Sequence, residues 1–113
     1  MPVTNQQVAE RAFLREMYQD AYFPSHLADK GREILLRLCE RIEADRPSGL
    51  PALYALTHAS TEEFNRLDAE LQTVGSGIET VAREWIGEEF RFVATAYGFA
   101  DADHEELIAT RDR

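Results

Sequence analysis

The sequence predicts an all-α fold, an antiparallel bundle of four main helices with a short fifth helix near the C-terminal end. Three observations carry this expectation. Apolar residues recur every three or four positions through four long stretches. Gly and Pro punctuate the chain at Pro24, residues 47–51, residues 75–77 and Gly98, leaving short connections. No stretch shows the period-two alternation of a half-buried strand. Long helices joined by short loops pack as antiparallel neighbours.

The first helix is expected over residues 6–18, where Ala9, Phe13 and Met17 stack at i+4 beside Leu14. It should end before Phe23, because a residue preceding Pro avoids the helical basin. The second is expected over residues 25–44. Leu27, Gly31, Ile34, Leu35, Leu38, Cys39 and Ile42 form its apolar face, and charged residues lie opposite. The third spans residues 50–72, with Leu50, Leu53, Tyr54, Phe64, Leu67 and Leu71 inward. The fourth runs from Ser76 to about Tyr97. Ser76-x-x-Glu79 reads as a capping box, and Gly98 suits a left-handed C-terminal cap. A short fifth helix follows over residues 104–109.

Composition narrows the function classes. The 113 residues are 44% apolar and 29% charged, which is globular composition in an amount suited to one domain, residues 1–113. Twelve basic residues against 21 acidic ones give a net charge of −9. Such a surface repels nucleic acid and anionic lipid, so any partner is expected to be a protein, and a basic one suits best. A single cysteine, Cys39, forbids an internal disulfide and suits a reducing cytoplasm. The first residues show no signal-peptide pattern, and no apolar run reaches the length of a membrane span.

Two departures from the apolar pattern mark the candidate site. Glu89 falls in the middle of the apolar arc of the fourth helix, with Trp85, Ile86, Phe92 and Val93 at i±3 and i±4. An acid placed there must find a partner, neutralise or reach water. On the third helix, Thr57, Ser60 and Thr61 lie inward between Tyr54 and Phe64, with Asp68 near the same line and His58 and Asn65 flanking it. The band either bonds carbonyls of its own helix, as Ser and Thr readily do, or meets Glu89 across the bundle. The candidate binding residues are therefore Glu89, Thr57, His58, Thr61, Trp85 and Tyr54. A structural reading, in which Glu89 bonds a neighbouring helix or loop, stands beside the binding one.

Other chemistry finds little support. No Glu-x-x-His exists, and His26, His58 and His104 are far apart, so neither a metal nor another cofactor is expected. Cys39 reads as a small core residue rather than a nucleophile, and no phosphate-binding or nucleophile-elbow motif occurs. Gly87 points outward.

Several blocks resemble a family of short bacterial proteins known only as a domain of unknown function. They are Met17-Tyr18 with Tyr22-Phe23-Pro24, Asp29-Lys30-Gly31, LLRLCERI at 35–42, LYALTHASTEEFN at 53–65, IETVARE at 78–84 and AYGFADADHEELIA at 96–109. The resemblance implies a small bacterial protein and supplies no activity, cofactor or catalytic residue. Three function classes follow from the residues. The first is a non-enzymatic interaction or regulatory protein, docking through Tyr18, Tyr22 and Phe23 if these are exposed. The second is a small-ligand bundle with a pocket near Glu89, and the third an enzyme using Glu89 as general acid or base with His58 assisting. Oligomeric state stays open.

Overall fold

The computed structural model describes residues 3–111. Among them are six α-helices and no strand: α1 Gln6–Ala9, α2 Arg15–Gln19, α3 Ser25–Asp45, α4 Leu50–Gln72, α5 Thr80–Ala96 and α6 His104–Leu107. The fold is all-α, with three long helices.

α3 starts directly after Pro24 and buries Leu27, Ala28, Gly31, Ile34, Leu35, Leu38, Cys39 and Ile42 on one face. It stops at Arg46, which adopts a left-handed φ of 47°. After a short connection Gly49 opens α4, with Pro51 in the first turn, where its missing N–H has no intrahelical partner to lose. Lys30 pairs with Glu70 and Arg37 with Glu63, so rising positions on α3 meet falling ones on α4. The two helices are therefore an antiparallel pair. These exposed pairs report the register and contribute little to stability.

α4 and α5 both end on glycine. Beyond α4, Gly75 takes φ 80°, Gly75 N–H donates to Gln72 O and Ser76 N–H to Leu71 O. Beyond α5, Gly98 takes φ 87°, Gly98 N–H donates to Thr95 O and Phe99 N–H to Ala94 O. Both are the paired closing bonds that need a residue free to adopt positive φ. Ser76 thus belongs to the end of α4. The expected capping box at Ser76 does not form: α5 begins at Thr80, Glu79 makes no side-chain cap, and Ser76 Oγ is buried without a partner. Asp68 of α4 instead accepts from Ile78 N–H at 2.7 Å and leads the chain into α5.

The helix expected over residues 6–18 is broken. Ala9 closes α1, residues 10–14 are irregular, and Leu14 adopts φ 58° and ψ 33° before α2. A bulky side chain is strained in the left-handed basin. Two contacts hold it there. Leu14 N–H donates to Glu89 Oε2 at 2.6 Å, and the Leu14 side chain is fully buried against α3. Gly31 makes room for it: a Cβ at that position would lie 2.8 Å from Leu14 Cδ1.

The core fills the space between these elements. Phe13, Met17, Leu35, Leu38, Leu53, Leu71, Phe90 and Val93 are almost wholly buried, and Phe64 meets Phe90 edge-to-face at 5.9 Å. Among the described residues no helix is long and apolar enough to cross a membrane.

Candidate functional site

Glu89 is buried, as its place on the helical wheel predicts, with 3% of its surface exposed. Its carboxylate is used within the fold. Arg11 Nε and Nη2 donate to Oε1 at 2.9 and 2.6 Å, and Leu14 N–H takes Oε2. The Arg11 guanidinium lies 4.4 Å over the centre of the Phe92 ring, which fixes it from the other side. Glu89 is the bolt that holds the broken N-terminal segment onto α5.

The hydroxyl band of α4 is buried, and among the described residues no hydrogen bond joins it to Glu89. Thr57 Oγ1 donates to Tyr54 O at 3.2 Å and Thr61 Oγ1 to Thr57 O at 2.8 Å, both within the helix. Ser60 Oγ is buried without a partner. The flanking residues have a different task. Tyr54, His58, Thr61, Asn65 and Asp68 recur alternately four and three positions apart, which aligns them along α4. Tyr54 OH accepts from Asp103 N–H at 2.8 Å, His58 Nε2 lies 2.7 Å from Glu106 O, and Thr61 Oγ1 reaches Leu107 O at 3.3 Å. Asn65 Nδ2 donates to Thr110 O at 3.0 Å, and Asp68 holds Ile78 as described above. The stripe is a polar seam that grips the main chain of the C-terminal segment. His58 also lies 3.1 Å from the Glu106 carboxylate, so both neighbours of Nε2 are acceptors and that nitrogen carries the hydrogen.

A second acid with many partners, half-buried, escaped the sequence reading. Glu43, near the end of α3, accepts from Thr4 N–H, Thr4 Oγ1, Asn5 N–H and Tyr97 OH, the last at 2.5 Å. Asn5 Nδ2 in turn donates to Ala96 O. Partial burial pushes the Glu43 carboxyl up, but the bonds from Tyr97, Thr4 and Asn5 outweigh it and hold the carboxyl at about 2. Tyr97 is driven well above its ordinary range by burial and by that same carboxylate. Burial pushes the neighbouring Cys39 thiol up to about 12, so it is inert as a nucleophile. A carboxyl held below its ordinary 4.5 stabilises the fold fully above that pH and loses its contribution as pH falls towards 2. Glu43→Gln should therefore cost about 1–2 kcal/mol at neutral pH and flatten the acid limb between those values, read by urea denaturation at several pH values. A variant curve parallel to wild type through that window contradicts the assignment.

The surface carries two clefts relevant to function. One, of about 40 Å³, lies between α4, α5 and the C-terminal segment. Phe64, Ile78, Ile86 and Phe90 wall it, and Asn65, Asp68, Arg83 and Arg111 edge it. Gly87 opens this side of α5, since a Cβ there would meet nothing within 4 Å. The other, of about 260 Å³, lies between the segment after α2 and the first turns of α5, lined by Asp20, Tyr22, Phe23, Glu79, Val81 and Trp85 among others. Tyr22 and Phe23 meet edge-to-face at 5.1 Å, and Phe23 and Trp85 at 6.1 Å. Tyr22 is 43% exposed and Val81 57%, whereas Phe23 is buried and supplies the wall. Tyr18, also exposed, is tethered through its hydroxyl to Asp29. Val81 was missed from the sequence, although an apolar i, i+4 pair with Trp85 off the main face of α5 is a visible signal.

Of the expected site residues, Tyr54, Thr57, His58 and Thr61 are together on α4, Glu89 is with Arg11, and Trp85 is in the aromatic cleft. Among the described residues no group of three or more His, Cys, Asp or Glu is gathered as metal ligands require. No curated protein and no solved structure matches the chain. Residues 7–113 match the model of the family of unknown function DUF5713, and the chain belongs to that family.

Proposed function

We propose that this protein is a non-enzymatic interaction protein, a small cytoplasmic bacterial protein that docks a basic protein partner through the cleft of Tyr22, Phe23, Val81 and Trp85. The observation that carries this reading is an exposed aromatic surface on a chain whose buried Glu89 and inward threonines of α4 already serve its own fold. Exposed apolar surface costs free energy in water unless something covers it part of the time. The net charge of −9 favours a basic partner and speeds its approach. The buried, inert Cys39 suits the reducing cytoplasm. Catalysis through Glu89 has less support, because both of its oxygens are occupied by Arg11 and Leu14.

The test is affinity co-purification of the tagged full chain at low salt, beside Tyr22→Glu and Val81→Glu variants. A basic protein recovered by wild type, released by salt and lost with both variants is expected. Recovery of no such protein, or one retained by both variants, rejects the reading.

A further inference from the structure

We infer that the cleft receives one arginine side chain from a basic segment of the partner, an assignment that rests on the docking reading above. Three aromatic rings, Tyr22, Phe23 and Trp85, stand at steep mutual angles of 82° and 65° around the cleft. Such a set of ring faces and edges favours a planar cation stacked on an open face, and tryptophan is the strongest partner for one. The rim carries Asp20 and Glu79, and no Lys, Arg or His lines the cleft among the described residues. Asp20 Oδ1 accepts from the Tyr22 main-chain N–H at 2.9 Å, which fixes that carboxylate on the rim. The positive end of α5 is close by and works against a cation. Its effective half charge is outweighed by two carboxylates.

The shape selects among cations. The cleft is open and about 260 Å³, so it accommodates one long side chain rather than a helix or strand. Val81 gives the alkyl stem an apolar wall. The planar guanidinium both stacks on Trp85 and presents several N–H donors to carboxylates, which a compact ammonium does less well. The fit is therefore to arginine ahead of lysine.

Trp85 is the only tryptophan of the chain and lines this cleft, so its emission responds to binding there, and the rim variants below tie the response to this side of the ring. The experiment titrates the full chain, at low salt, with capped pentapeptides of sequence Gly-Ser-X-Ser-Gly, where X is arginine, lysine or the neutral isostere citrulline. A saturable change with the arginine peptide is expected, at least about tenfold weaker with citrulline and in the Asp20→Asn, Glu79→Gln double variant. Circular dichroism confirms that this variant is folded. Equal response to arginine and citrulline, an unchanged double variant, or no response to arginine up to about 10 mM overturns the assignment. If the arginine peptide fails while Tyr22→Glu still releases a co-purifying basic protein, the arginine assignment falls and the docking reading stands. If peptide binding holds but no protein is captured, the docking reading falls.

Discussion

Glu89→Ala is expected to cost about 3–4 kcal/mol, roughly 10–20 °C in Tm for a chain of this size. Three effects add. The buried Leu14 N–H loses its acceptor, at about 1–3 kcal/mol. The Arg11 guanidinium loses a buried partner, although its side chain is 39% exposed and can turn to water, which limits that share. The left-handed conformation of Leu14 then has only side-chain burial to hold it. Glu89→Gln should fall about midway, because one amide oxygen can serve Leu14 or Arg11 but not both. Urea denaturation followed by circular dichroism measures the difference. A loss under about 1 kcal/mol for the alanine variant would show that Glu89 does not hold the N-terminal segment.

The second large effect lies between Leu14 and Gly31. Leu14→Ala empties a fully buried site and should cost about 2–5 kcal/mol. Gly31→Ala places a methyl 2.8 Å from Leu14 Cδ1, with Phe64 and Leu67 at 3.4 and 3.5 Å behind it. Leu14 is fully buried, so a shift of its side chain presses on the core around it, and overpacking of about 1–3 kcal/mol exceeds the roughly 1 kcal/mol that alanine adds to helix propensity. In the Leu14→Ala background the clash is gone, the new methyl fills part of the void, and the same Gly31→Ala change should stabilise. The sign reversal is the result to look for in a double-mutant cycle. Two additive substitutions would mean that Gly31 is not there to admit Leu14.

Elements held by local signals were legible. Every residue expected on the apolar face of α3 is buried, with Ala28 added beside them, and α4 has the expected bounds. The short C-terminal helix expected over residues 104–109 forms at His104–Leu107, where the Asp103 side chain accepts from Glu105 and Glu106 N–H. The break in residues 10–14 was hidden, because Ala9, Phe13 and Met17 have helical spacing and the force that overrides it comes from Glu89, 75 residues away from Leu14. Burial of Glu89 was readable from its neighbours on one helix; its partner was not, since Arg11 carries no pattern that distinguishes it from other surface arginines. The inward hydroxyls of α4 drew notice, while Thr61 and the flanking residues proved to grip a segment some 45–49 positions later. Periodicity reports which face is covered and is silent about what covers it. The aromatic cleft was half visible: Tyr22, Phe23 and Trp85 were flagged, Val81 was passed over despite its spacing from Trp85, and the rim acids appear only once α5 is set beside the segment after α2.

The seam along α4 addresses mainly carbonyls and amides of residues 103–110, with side-chain contacts at Glu106 and Thr110 beside them. Main-chain groups are the same whatever residue bears them. Chemical variety in the gripped stretch is therefore cheap, apart from buried Leu107, the capping Asp103, and Glu106 and Thr110, whose side chains meet His58. The gripping helix has no such freedom, because each of its polar side chains must match a set position on the facing backbone. The two halves of this contact are thus unequally tolerant: one is a lock with fixed teeth, the other a key whose surface can be redrawn without changing its fit.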